Sequence, residues 1–178
     1  TVRLASGLDA NNNLTKASQM FALEVLSRFS ERLSNFKKSE VRVVATSTLR
    51  VANNAADFIT IANKALGFPI EVISGKEEAR LVYLGAMHSL AFTDEKRLVI
   101  DIGGGSTEFI IGRGYNPEIM ESVTMGCVSY TGRYFANGIL NESNFNNAIL
   151  AARSKIQSME HLFAKQDWQL AVGTSGTS

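Results

Sequence analysis

The segment that most restricts this chain is RLVIDIGGGSTEFIIGRG, 97–114. The apolar run 98–102 predicts a buried strand, the three glycines a tight turn, and 107–111 the returning strand. Asp101 ends the first strand. Three glycines let the backbone take φ > 0 and approach a ligand with no Cβ in the way. Successive N–H groups in such a turn can form an anion nest for phosphate oxygens. Ser106 and Thr107 add hydroxyl donors. Asp101 and Glu108 flank the turn and can hold a magnesium ion, directly or through water. The competing reading is a glycine hairpin with solvated carboxylates. An acidic residue at a strand end before three glycines favours the phosphate site.

Around this hairpin the pattern alternates. Ala17, Met20, Phe21, Leu23, Leu26, Phe29, Leu33 and Phe36 recur at helical spacing over 15–36, with Thr15 as N-cap. VRVVAT, 41–46, predicts a strand. Asn53 or Asn54 caps a helix with Phe58, Ile59, Ala62, Ala65 and Leu66 on one side, and Gly67 suits its end. IEVIS, 70–74, predicts another strand, and 75–90 a helix. Asn116-Pro117 marks a turn before strand 119–124. A loop enters a short helix over 126–135, and 142–163 predicts one long helix with Phe145, Ala148, Ile149, Met159 and Phe163 inward. QLAV, 169–172, is a last strand running into Gly173. This order predicts an α/β fold with mixed strand directions. The short polar stretch 93–96 is the expected boundary, dividing the chain into 1–93 and 94–178.

Composition narrows the partners. The formal net charge is +1 over 178 residues, so no sequence-wide field points to nucleic acid or an anionic membrane. Any hold on a polyanion has to come from local groups. The single cysteine, Cys127, cannot close an internal disulfide, and no apolar run is long enough to span a bilayer. With no signal peptide, these features lead us to expect a cytoplasmic protein. Residues 2–5 look like the middle of a strand and GTSGTS, 173–178, like a loop leading onward. The expectation is therefore a piece of a longer protein.

Three further segments carry candidate chemistry. Gly173, Thr174, Ser175, Gly176 and Thr177 form a second glycine loop after a strand, a weak signal alone. In SGKEEARLVYLG, 74–85, Ser74 and Glu77 have the spacing of a capping box, which makes Glu77 structural. Glu78 follows in the first turn and is not needed for capping. The positive helix end favours its ionised form, and an ionised carboxylate in a phosphate site can take a proton from water. A solvated first-turn glutamate is the competing reading. In ATSTLR, 45–50, Thr46, Ser47 and Thr48 offer hydroxyls, and Arg50 offers a fork of phosphate donors or is an ordinary surface arginine. Cys127, His88 and His161 have no spacing that suggests a nucleophile or a metal site.

RVVATSTLR, VISGKEEARLVYLG, LVIDIGGGSTE, MGCVSY and GTSGT occur in the order and rough spacing of the exopolyphosphatase and guanosine pentaphosphate phosphohydrolase family. The resemblance covers essentially the whole chain. It implies two ribonuclease H-like domains of the actin-like ATPase superfamily around a cleft, both incomplete in this chain. It implies that Glu78 is the general base and that Asp101 and Glu108 lie near Mg2+ and the phosphates. Gly103, Gly104, Gly105 and Ser106 match a phosphate loop, Arg50 the arginine facing the terminal phosphate, and 173–177 the loop closing the phosphate cleft. The family's opening DxGSNS-type loop is missing. The implied substrates are inorganic polyphosphate or guanosine pentaphosphate. No nucleic acid duplex or membrane is expected as a partner, and a homodimer stays open for the full-length protein. Two rival readings are an actin-like small-molecule kinase, against which Glu78 argues, and a non-catalytic alarmone-binding module.

Overall fold

The computed structural model describes residues 2, 4–164 and 167–176. Its contacts divide the chain into Thr1–Ser74 and Gly75–Ser178. The sequence expects the division at 93/94. The difference is one helix, Gly75–His88, which packs on the sheet of the second unit.

In the first unit, helix α1 spans Lys16–Leu33, and the Thr15 side chain accepts from the Ser18 N–H, as its cap position requires. A three-residue strand β1, Val43–Ala45, leads into a short helix α2, Ser47–Val51. The hydroxyl segment expected to follow a strand end is thus the start of this helix. Helix α3 runs Ala55–Leu66 and ends on Gly67 at φ 81, the left-handed cap that glycine tolerates best. Strand β2, Ile70–Val72, pairs parallel with β1. Asn54 sits at the N-cap of α3, but its side-chain amide both donates to and accepts from the Leu14 backbone instead of capping. Leu14, Ala22, Leu49, Ala52, Phe58 and Ala62 form the core. The apolar stripe expected over 15–36 is buried only in part: Leu23 and Leu26 pack against this core, while Met20 is 71% exposed and Phe21, Phe29 and Phe36 are about half exposed.

In the second unit, α4 (Gly75–His88) precedes a four-stranded sheet of β3 (Lys96–Ile102), β4 (Thr107–Arg113), β5 (Asn116–Val123) and β6 (Leu170–Thr174). The order is β5-β4-β3-β6, antiparallel across the first three strands, with β6 parallel to β3. That is the ribonuclease H-like order, and it bears out the α/β fold with mixed strand directions. The turn before β5 differs from expectation. Gly114, at φ 53, supplies it, and Pro117 lies inside β5, an outer strand where a missing N–H is tolerated. Helix α5, Cys127–Tyr134, follows the sheet's first three strands. The long helix expected over 142–163 breaks into α6, Glu142–Gln157, and α7, Glu160–Phe163. The break brings both Met159 and Phe163 onto Leu98 and Ile111. Phe145 and Ile149, expected inward, stay 47% and 44% exposed.

Strand alternation sorts side chains onto two faces. Leu98, Ile100, Phe109 and Ile111 pack with Met159 and Phe163. Val99, Ile110, Met120 and Val172 face the other way and pack beneath Ala79, Tyr83 and Met87 of α4. Tyr83 is fully buried and its hydroxyl donates to the Gly114 carbonyl at 3.0 Å. A Cβ on Gly112 would lie 2.6 Å from that tyrosine hydroxyl, so the notch that seats α4 requires glycine. Among the described residues no helix is long and apolar enough to cross a membrane.

Candidate functional site

Two residues beyond the apolar row Met120–Ile110–Val99–Val172, the same alternation and register produce a second row across the sheet. Glu108 pairs with Asp101 on one side and with Ser122 on the other, and Asp101 pairs with Thr174. The row therefore reads Ser122, Glu108, Asp101, Thr174, on the face that carries α4. The hairpin brings the two acids expected to act together into direct cross-strand register.

Each acid receives a hydroxyl from the strand outside it. Ser122 Oγ donates to Glu108 Oε1 at 2.8 Å, and Thr174 Oγ1 donates to Asp101 Oδ1 at 2.7 Å. Asp101 is half-buried, while Glu108 is wholly buried and its Oε2 has no hydrogen-bond partner. Burial is the main cause that pushes the Glu108 carboxyl up to about 6, against the Ser122 hydrogen bond, which favours the anion. The negative charges of Glu78 and Asp101 raise it further, and the Ser106 hydroxyl opposes them. Glu78, in the first turn of α4, thus acts on the same carboxyl as Asp101. Its neighbour Glu77 is engaged with Arg80 one turn on, at 2.7 and 2.9 Å.

The glycine turn is built differently from expectation. Neither Gly103 nor Gly104 has a positive φ. Their carbonyls accept from the first turn of α5: Cys127 N–H donates to Gly103, and the N–H groups of Val128 and Ser129 donate to Gly104. With the carbonyls committed there, no described backbone acceptor takes the Gly104 or Gly105 N–H. Ser106 and Thr107 are buried, and Thr107 Oγ1 donates to the Met125 carbonyl at 2.5 Å. The residue that makes this packing feasible is Gly126, where a Cβ would lie 2.5 Å from backbone atoms of Gly104 and Gly105. It is glycine for close approach, as the turn itself is, and not for left-handed conformation.

The second glycine loop starts later than expected, since Gly173 and Thr174 are still strand residues paired with Ile100 and Asp101. Ser175 has φ 73, a left-handed conformation in a non-glycine residue, and Gly176 follows it. Thr177 lies outside the described residues. In the first unit, Arg50 on α2 donates from Nη1 to the Ile73 carbonyl at 3.0 Å.

Sequence reasoning missed Ser122 and Gly126. Alternation along β5 puts Ser122 on the face of Met120, but its partner depends on register. A bulge between Ile111 and Gly112 shifts that register in a way no local pattern shows. Gly126 lies in the MGCVSY segment, yet its need for glycine comes from a backbone 22 positions away in sequence, at Gly104.

The donor set suits a hard cation. Magnesium in phosphate sites takes one or two carboxylates and completes its shell with water and substrate oxygens. Asp101 and the unpartnered Oε2 of Glu108 are oxygens of that kind. Among the described residues no group of three or more His, Cys, Asp or Glu is gathered as a metal cage, so the pair would have to be supplemented from solvent and phosphate.

Known structures repeat this architecture. An exopolyphosphatase-like protein is 26% identical, with a TM-score of 0.90 over 99% of this chain and 56% of its own. An exopolyphosphatase from Cytophaga hutchinsonii is 25% identical, with a TM-score of 0.84 over 98% of this chain and 54% of its own. A Ppx/GppA family member from Aquifex aeolicus is 26% identical, with a TM-score of 0.72 over 99% of this chain and 56% of its own. This chain thus spans a little over half the length of the structures it matches. The model of the Ppx/GppA phosphatase family matches residues 1–178, and on that full-length match the chain belongs to the Ppx/GppA phosphatase family.

Proposed function

We propose that the full-length protein hydrolyses terminal phosphoanhydride bonds, releasing phosphate from inorganic polyphosphate, guanosine pentaphosphate, or both. The observation that carries the reading is the acidic row beside the glycine turn, with Glu78 close enough to act on Glu108. Family membership and the similar structures of an exopolyphosphatase and an exopolyphosphatase-like protein support it. In the proposed step a water oxygen bonds to the terminal phosphorus. The bridging P–O bond breaks with its electron pair on the leaving oxygen, and Glu78 takes a proton from the water. The N–H groups of Gly104 and Gly105 would donate to phosphate oxygens. Bound Mg2+, held by Asp101 and Glu108, would supply charge neutralisation of those oxygens. Arg50 and 173–177 stay phosphate-binding candidates on the family resemblance alone. The same resemblance supports two ribonuclease H-like domains in the full-length protein.

The test is kinetic, on the full-length protein, with long polyphosphate and guanosine pentaphosphate side by side. Losing a general base typically lowers turnover about 10²–10⁴-fold. Glu78→Gln should lose that much while still binding polyphosphate, because the phosphate-binding groups are untouched. Glu77→Gln should keep much of its activity, since its carboxylate is committed to Arg80. If Glu77→Gln is the dead variant and Glu78→Gln turns over normally, the base has been assigned to the wrong glutamate. Transfer of phosphate from ATP to an added acceptor would instead identify a kinase.

A further inference from the structure

The acidic row has an arrangement that the phosphate-site reading does not require. Two carboxylates sit side by side on neighbouring strands, where directly opposed side chains have Cβ atoms about 4.5–5.5 Å apart. Like charges at that spacing repel, so each carboxylate would turn outward unless something held it. On each flank a hydroxyl does so: Ser122 from β5 on Glu108, and Thr174 from β6 on Asp101. The two hydroxyls occupy one oxygen of each acid. On Glu108 the other oxygen is buried with no partner. An ionised carboxylate has about four acceptor sites, and a buried one left short of partners is unfavourable. Glu108 is thus a wholly buried glutamate with one oxygen held at 2.8 Å and the other without a hydrogen-bond partner.

We infer that Ser122 is a positioning residue, whose hydroxyl fixes the Glu108 carboxyl in the rotamer that leaves Oε2 to a divalent cation shared with Asp101. The inference rests on the proposed role of the acid pair in holding Mg2+. A serine serves here because its hydroxyl is short. It reaches Glu108 Oε1 across one strand spacing while adding no carboxylate of its own to a row that already carries two. An alanine at 122 would remove the hydroxyl that holds Oε1, and the carboxyl, left to the neighbouring Ser106 hydroxyl, would be freer to rotate within its pocket. Groups that orient a metal ligand from behind in this way typically change metal affinity about 10–100-fold when removed.

Mn2+ binding, followed by electron paramagnetic resonance on the full-length protein without substrate, tests this apart from turnover. Ser122→Ala should weaken Mn2+ binding about 10-fold. Ser122→Thr keeps the hydroxyl and should bind within about threefold of the parent. Glu108→Gln is the reference and should weaken binding at least as much as Ser122→Ala. If Glu108→Gln weakens Mn2+ binding while Ser122→Ala matches the parent, the positioning role is overturned and the cation site survives. If Glu108→Gln binds Mn2+ like the parent, the acid pair does not hold the cation and both readings fall. Equal weakening in Ser122→Ala and Ser122→Thr also overturns the inference, because the hydroxyl would then not be the group that matters.

Discussion

Two adjacent rows on one face of the second unit's sheet do opposite things. Met120, Ile110, Val99 and Val172 form an apolar row under α4, with Ile110 and Val99 fully buried. Ser122, Glu108, Asp101 and Thr174 form the next row, two residues along each strand. Backbone, register and covering helix are shared; only side-chain chemistry changes. The apolar row gains stability by leaving water, roughly 25 cal/mol per Å² of apolar surface. The polar row buries a carboxylate and leaves one of its oxygens without a partner. The core and the candidate site are thus successive steps of one alternation, and the site row sits on the stability that the core row supplies.

The largest test of that contrast is in the apolar row. Ile110→Ala removes a side chain that is 0% exposed and packed under α4. Such truncations lower stability by about 2–5 kcal/mol. Denaturant unfolding of the full-length protein measures it, and the loss should be the same at pH 5 and pH 8 because no charge changes. A loss below about 1 kcal/mol would mean that this row is not the support described.

The next test concerns the turn into which the polar row runs. In Gly126→Ala the added methyl meets backbone of Gly104 and Gly105 at 2.5 Å, and backbone cannot swing aside as a side chain can. Overpacking of this kind lowers stability by about 1–3 kcal/mol. In Gly104→Ala the methyl meets the Val128 side chain and no backbone, with its nearest atom at 3.3 Å, so the loss should be smaller. Equal losses would show that the close approach at Gly126 is not what shapes the turn.

The contrast also explains what was legible in the sequence. Local signals sufficed where structure is local: Thr15 caps α1, Gly67 ends α3, and the glycine hairpin sets Asp101 against Glu108. Patterns that needed a tertiary partner were misread. The periodicity through Phe36 marks an apolar face, but not whether anything covers it, and α1 stops at Leu33. Residues 142–163 keep helical spacing across Ser158, where the chain breaks so that Met159 and Phe163 both reach the sheet. In the candidate site the acids were legible, because type and spacing identify them. Ser122 was not, because one bulge decides which residue it faces. The glycines of the turn were read as sites of positive φ and of close approach to a ligand; their φ is not positive, and what approaches them closely is the start of α5. Sequence gives the freedom of a glycine, and only the fold decides which freedom is used.

The smallest effect is a gain in stability, and it separates the rows by sign. Glu108 has its carboxyl raised from 4.5 to about 6, with burial the main cause. A raised acid contributes stability that is fully present below the unfolded value of 4.5 and is lost as pH rises through about 6. Above that window the folded protein carries a buried negative charge that the unfolded chain keeps in water. Glu108→Gln never ionises, and its amide oxygen can still accept from Ser122. With a chelator present to remove cations, the variant should match the parent near pH 4 and exceed it at pH 8 by about 1–2 kcal/mol, from 1.36 kcal/mol per pKa unit. Unfolding midpoints measured across pH 4–8 give the curve. A gain of equal size at both ends would place its origin in packing rather than charge. A loss at pH 8 would mean that the ionised carboxylate stabilises the fold, and that the polar row supports the sheet much as the apolar row does.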